Sequence, residues 1–282
     1  MINLLKRKKK DSKKLAKIAE DKKFVLTPNS TFYVREAYRV LRTNVKFSLA
    51  SVQGTKVIMV TSAMQSEGKS LTALNLAISI AQTEAKVLII DCDLRRPKLN
   101  RLLDISSQIG LSNVLVDPSK LSSALFTDER FGMDIILSGD IPPNPSELLA
   151  SDNMSSLIES LREKYEYIIV DTPPLNPVID SVALAPVCDG VLFVVKAEET
   201  ERGAIIRAME QLAYAKAKVL GFVFNGINIE ANSSYSKYRY RKYGNHKRYG
   251  YYGRYGTYYG YGYGYQSINS TSSSKPTSNK QH

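Results

Sequence analysis

KVIMVTSAMQSEGKS, residues 56–70, is the stretch on which the fold turns. Its opening, KVIMVT at 56–61, is apolar and β-branched without polar alternation, the pattern of a strand buried on both faces. A turn follows, and then an apolar, helix-like stretch over 69–82. From Ala63 the turn has the spacing A-x-x-x-x-G-K-S, a phosphate loop with Ala in place of the first Gly. Backbone N–H groups of residues 65–70 would cradle phosphate oxygens, helped by the positive end of the helix. Ser66, Glu67, Gly68, Lys69, Ser70 and Leu71 are therefore the expected nucleotide-binding residues. Gly68 allows close approach, the Lys69 ammonium would bridge β- and γ-phosphates, and Ser70 would ligate Mg²⁺.

Working outward, further apolar runs occur at 86–91, 133–137, 167–171, 190–195 and 218–225. Helical stretches lie between them, notably 69–82, 153–164 and 203–216. Residues 33–50 read as an amphipathic helix, with Val34, Ala37, Leu41, Val45 and Leu49 at three- and four-residue spacing. Alternating strand and helix implies an α/β fold, a parallel sheet flanked by helices on both faces. The Pro-rich loop IPPNPSELL at 141–149 should open a helix with Ser146 as N-cap and Glu147 in the first turn. Two further strands end in carboxylates: Asp91 and Asp93 close VLIIDCD, and Asp171 closes YIIVD. Three acidic groups aimed at one sheet edge are costly unless a cation neutralises them. Asp91, Asp171 and Ser70 are the expected metal ligands, with Lys69, Asp91, Asp93 and Asp171 the expected catalytic set.

The net charge of +12 is unevenly distributed. Residues 1–23 carry ten Lys/Arg against three Asp/Glu, or +7, and residues 235–282 carry nine against none, or +9, which leaves −4 for the rest. A mildly acidic core between two basic arms argues against nucleic acid, which calls for basic charge across a folded face. A lysine-rich arm suits anionic lipid. The two cysteines, Cys92 and Cys188, exclude a disulfide framework and fit a reducing compartment. No apolar run reaches the ~18–20 residues of a membrane span, and MINLLKRKKK is not a signal peptide.

After Asn225 the apolar pattern ends. Residues 235–265 hold 13 of the 18 tyrosines, 7 of the 16 glycines and no acidic residue. The run has neither helical nor strand periodicity, so it should be an accessible, disordered segment. If strand 218–225 is parallel to strand 56–61, the tail leaves the sheet at the edge that carries the phosphate loop. A flexible segment of this length spans roughly 30 Å root-mean-square, enough to reach its own site or a neighbour's.

TSAMQSEGKS, VLIIDCDLRRP and YIIVDTPP resemble the Walker A, A′ and Walker B motifs of bacterial tyrosine kinases. The similarity is greatest to the separate cytoplasmic subunit of capsule and exopolysaccharide systems in Gram-positive bacteria. It covers residues 31–265, with 1–30 as a basic arm, 31–230 as the kinase domain and 231–282 as the tail. The resemblance implies ATP and Mg²⁺ as cofactors and the tail tyrosines as phosphoacceptors: Tyr235, Tyr238, Tyr240, Tyr243, Tyr249, Tyr251, Tyr252, Tyr255, Tyr258, Tyr259, Tyr261, Tyr263 and Tyr265. It also implies that Asn225 contacts the purine and that Glu36, Arg39 and Arg42 (E-x-x-R-x-x-R) join subunits in a ring. By the same resemblance the protein works at the inner face of the plasma membrane, held by a membrane adaptor of the polysaccharide co-polymerase class and reversed by a cognate tyrosine phosphatase. Asp180, Arg95 and Arg96 are expected near the site or a subunit boundary. The wider fold resembles partitioning ATPases with deviant Walker motifs, and an ATPase switch with the tail as a nucleic-acid or membrane tether is the competing reading. Those ATPases place a second lysine five residues before the loop lysine; Met64 stands there in this chain.

Overall fold

The computed structural model describes residues 22–227. The basic segment 1–21 and the tyrosine cluster 235–265, with every phosphoacceptor assigned to it, lie outside the described residues. Helix α1 (Phe32–Ser48) precedes β1 (Lys56–Ser62), and the phosphate loop leads into α2 (Lys69–Ala81). Then come β2 (Val87–Asp91), α3 (Leu99–Leu103), α4 (Leu111–Val116), β3 (Leu125–Asp128) and β4 (Met133–Ile136). The chain continues through α5 (Pro145–Leu149), α6 (Asp152–Arg162), β5 (Tyr167–Asp171), α7 (Asp180–Leu184), β6 (Gly190–Lys196), α8 (Arg202–Tyr214) and β7 (Val219–Asn225). The strands form one sheet in the order β3-β4-β2-β5-β1-β6-β7. Every pairing is parallel except β3 with β4. All six strands expected from apolar runs are present, in the expected α/β architecture.

Two apolar clusters, one on each face, bury the sheet. One gathers Met59, Ile90, Val170 and Phe193 against α6 and α8. The other gathers Ile58, Val60, Ile89 and Val194 against α2. This double burial is why the inner strands lack alternation, whereas β7 at the edge, expected from the sequence to be apolar on both faces, leaves Phe222 and Phe224 exposed. Helix α2 is buried around nearly its whole circumference, because α1 covers the side the sheet does not. Among the described residues, no helix is long and apolar enough to cross a membrane.

Three local features depart from the sequence reading. Strand β3 was not anticipated: it is four residues long, antiparallel, and mostly exposed, so it carries no periodic signal. Ser146 is not the N-cap of α5. Asn144 holds that position, Pro145 starts the helix, and the Ser146 hydroxyl donates instead to Asp180 Oδ1 at 2.6 Å. Packing also begins before residue 31. Val25 and Leu26 are buried, the Leu26 N–H donates to Asn75 Oδ1 (2.7 Å), and Asn75 Nδ2 donates to the Phe24 carbonyl (2.9 Å). A polar residue in the middle of α2 thus supplies the backbone partners that this segment lacks in the sheet. Replacing Asn75 by Ala orphans the buried Leu26 N–H and strips the partly buried Phe24 carbonyl of its partner, and should cost about 2 kcal/mol, measured by urea unfolding of the purified chain.

Candidate active site

Strand register assembles the site. Asp91 and Asp171 are direct partners at the ends of β2 and β5, and β1 flanks β5 on its other side with Val60 opposite Asp171. Parallel neighbours lie about 4.8 Å apart, so two strand-terminal carboxylates and the loop leaving β1 must converge at the carboxyl edge. Lys69 opens α2 there. Its ammonium donates to Asp93 Oδ2 at 2.8 Å and to Ser70 Oγ at 3.4 Å, and lies 3.8 Å from Asp171 Oδ1. Asp91 accepts the N–H groups of Asp93 and Leu99, both at 3.2 Å. Asp93 Oδ1 accepts the Arg96 N–H at 3.0 Å. The four expected catalytic residues are therefore brought together.

All of these groups are buried, which sets their proton affinities. Burial alone would lower Lys69; the pull of Asp171, Asp93 and Asp91 overcomes it and holds the ammonium above its ordinary value. Burial and repulsion from Asp171 and Asp93 push the Asp91 carboxyl well above the usual range. Burial also raises Asp171, opposed by Lys69. Neither Asp171 oxygen makes a hydrogen bond of ordinary geometry. A buried carboxylate of this kind calls for a counter-charge beyond one shared lysine. Asp171, Asp91 and the Ser70 hydroxyl are hard oxygen donors of the type a divalent cation takes.

The loop is sharply bent. Ser66 and Gly68 both have positive φ (68° and 92°), and a Cβ on Gly68 would fall 1.8 Å from Asn225 Nδ2. Glycine is thus favoured at 68 by conformation, and a side chain there would displace the Asn225 amide. No side chain caps the first turn of α2, so its N–H groups remain available to an anion. Leu71 packs its side chain toward the α2-face cluster. Glu67 is only 4 % exposed and points away from the open loop: Oε2 accepts the Met64 N–H (2.9 Å) and Oε1 accepts the Thr200 hydroxyl (2.5 Å). Asn225 Nδ2 donates to the Glu67 carbonyl at 3.0 Å. Nothing in the sequence marks Thr200, which lies in the turn after β6 outside any motif.

Flanking charges are partnered within the chain. Arg95 grips the buried Asp180 carboxylate through Nε (2.8 Å) and Nη2 (3.1 Å), and Ser146 bridges the two. Arg96 donates to the Gln65 side chain at the loop. On α1, Glu36 and Arg39 form an exposed ion pair at 3.6 Å, while Arg42 donates to the Ser79 carbonyl of α2. Cys92 is fully buried between the two A′ carboxylates, and burial pushes its thiol well up. Met64 is 43 % exposed on the loop.

A family profile described as "AAA domain" matches residues 55–219. Tyrosine-protein kinase YwqD of Bacillus subtilis is 40 % identical over 203 residues, covering 72 % of this chain and 85 % of that protein. Among solved structures, the kinase domain of Escherichia coli tyrosine kinase ETK superposes with a TM-score of 0.69 at 33 % identity, over 72 % of this chain and 80 % of that one. The chimerical protein CapA2B2 superposes with a TM-score of 0.65 at 33 % identity, over 70 % and 86 %. Sheet order, nucleotide loop and sequence similarity agree: the chain is an α/β protein with an ATP-binding P-loop NTPase-like fold, and it belongs to the bacterial tyrosine-protein kinase family.

Proposed function

We propose that this kinase transfers the γ-phosphoryl group of ATP to tyrosines of its own 235–265 cluster, between neighbouring copies. The observation that carries this reading is where β7 ends. Strands β1, β6 and β7 run parallel, and Asn225, the last residue of β7, lies against Gly68 of the nucleotide loop. The carboxyl end of β7 thus stands at the edge that bears the phosphate site, and the tyrosines follow it in sequence.

Asp171, Asp91 and Ser70 would hold Mg²⁺, which would supply neutralisation of β- and γ-phosphate charge. Lys69 leaves Asp93 for the phosphate oxygens, with which the uncapped N–H groups of α2 also bond. A tyrosine oxygen attacks the γ-phosphorus, the bond to the β–γ bridging oxygen breaks, and ADP leaves. The phenol has a pKa of about 10 and stays protonated until attack. Its proton passes to one of the A′ carboxylates, Asp91 or Asp93. The transition state is loose, so positioning and charge neutralisation dominate. Asn225, which lies against the loop glycine, contacts the purine.

Each phosphate adds about −1.5 to −2, so roughly five or six cancel the +9 of residues 235–282. Neighbours hold unmodified tails and release modified ones, opening a ring whose contacts include Glu36, Arg39 and Arg42. A membrane adaptor of the polysaccharide co-polymerase class recruits the kinase to the inner face of the membrane, the basic arm adds contact with anionic lipid, and a tyrosine phosphatase resets the tail. The cycle controls capsule or exopolysaccharide synthesis and export. Met64, in place of a second loop lysine, favours this reading over a partitioning-type ATPase.

Lys69→Met in a purified, kinase-free preparation should lower tail phosphorylation at least about a hundredfold, read by mass spectrometry of the terminal peptides. Phosphotyrosine at the parent level would refute the site assignment. Mixing full-length Lys69→Met with an active chain truncated after residue 234 should label the inactive partner from radiolabelled ATP; absence of label would exclude transfer between copies.

A further inference from the structure

We propose that Thr200 is a positioning residue of the nucleotide loop, and that Glu67 is its handle rather than a ligand through its side chain. A carboxylate inside an anion-binding loop opposes the ligand unless it is turned away and its charge is absorbed locally. Glu67 meets both conditions. Its oxygens are divided between the Met64 N–H within the loop, at 2.9 Å, and the Thr200 hydroxyl across the edge, at 2.5 Å.

Thr200 is itself held. Its Oγ1 accepts the Lys196 N–H at 2.9 Å, which directs the hydroxyl hydrogen at Glu67. Its own N–H donates to the Lys196 carbonyl at 3.1 Å, closing a turn in which Glu198 adopts a φ of 63°. The opposite side of Glu67 is gripped by Asn225, whose amide donates to the Glu67 carbonyl and whose own carbonyl accepts the Ala197 N–H at 2.9 Å. The loop is thus clamped at one residue, from the carboxyl ends of β6 and β7 together. A neighbouring position needs such a clamp: Ser66, not a glycine, stands in a left-handed conformation (φ 68°), which persists only where the surroundings over-determine it. With the Thr200 hydroxyl gone, a buried carboxylate oxygen loses its partner and the loop is free to reorganise before nucleotide arrives.

The test is ADP affinity by isothermal titration together with ATP kinetics of phosphotransfer, on the full-length chain. Thr200→Val should weaken ADP binding about tenfold, the factor that follows from one lost charge-assisted hydrogen bond, and should raise KM for ATP by more than it lowers kcat. Thr200→Ser keeps the hydroxyl and should bind within about twofold of the parent. In a Glu67→Ala background, Thr200→Val should have no further effect, because its partner is already absent. Thermal unfolding without nucleotide checks that each variant is folded. Parent-like ADP binding by Thr200→Val overturns the clamp, as does a loss that persists undiminished beside Glu67→Ala, and so does failure of Thr200→Val to fold while Thr200→Ser folds. The proposal uses the nucleotide site but not the identity of the acceptor. A parent that binds no ADP would overturn the nucleotide reading and the clamp with it, whereas bare tail tyrosines on a chain that binds ADP would leave the clamp standing.

Discussion

One ammonium among three buried carboxylates is the constraint around which this molecule is built. Lys69 reaches Asp93 and Asp171 with its charge fully enclosed, and Asp91 adds a third negative group behind them. Two unit charges about 4 Å apart at an effective dielectric of ~20 interact by roughly 4 kcal/mol. One lysine cannot balance three such groups, so the cluster retains an excess of negative charge. Burial raises Asp91 and Asp171, with repulsion from its neighbours adding to the rise at Asp91, while attraction to the carboxylates stabilises the lysine cation. The excess makes the site a place where a divalent cation relieves electrostatic stress that folding alone leaves in place. Apolar packing elsewhere in the sheet bears the cost of holding these charges together.

Sheet topology turns those charges into a geometry. Because β5 lies between β1 and β2, the Walker B carboxylate stands beside both the loop and the A′ strand. Because β6 and β7 extend the same parallel array on the other side, their carboxyl ends reach the loop from outside. One side brings carboxylates to the phosphate position; the other brings Thr200 and Asn225 to the loop backbone. Catalytic charge and loop rigidity thus come from opposite flanks of β1. The tyrosine-bearing residues follow β7, the last strand of that second flank, in sequence.

Much of this was legible in the chain itself. Six apolar runs without alternation marked strands, of which five are buried on both faces while the edge strand β7 is not, and the helices at 69–82, 153–164 and 203–216 followed from a change of period. G-K-S after a strand named the loop, and strand-terminal aspartates named the acidic cluster. The rest was hidden for physical reasons. Strand β3 is short and largely exposed, so no burial pattern betrays it. Ser146 looks like a cap because serine commonly is one, but a buried Asp180 close in space competes for its hydroxyl. Thr200 and Glu67 are separated by 133 positions, and no spacing rule connects a turn after β6 with a loop after β1. Arg42 shows the same limit: its position on α1 is readable, but its attachment to the Ser79 carbonyl depends on how α1 lies across α2.

The sequence by itself determined which residues carry charge, which runs must be buried, and that a phosphate loop joins a strand to a helix, because these follow from local chemistry and periodicity. Only the tertiary structure decided how the charges are shared: that Lys69 is held on Asp93, that Asp171 has no hydrogen bond of ordinary geometry, and that Glu67 divides its oxygens between Thr200 and the Met64 N–H. Those outcomes rest on strand order and register, which bring together groups that are far apart along the chain. Hydrogen bonds are satisfied by whatever stands nearby in space, and local sequence does not record its distant neighbours.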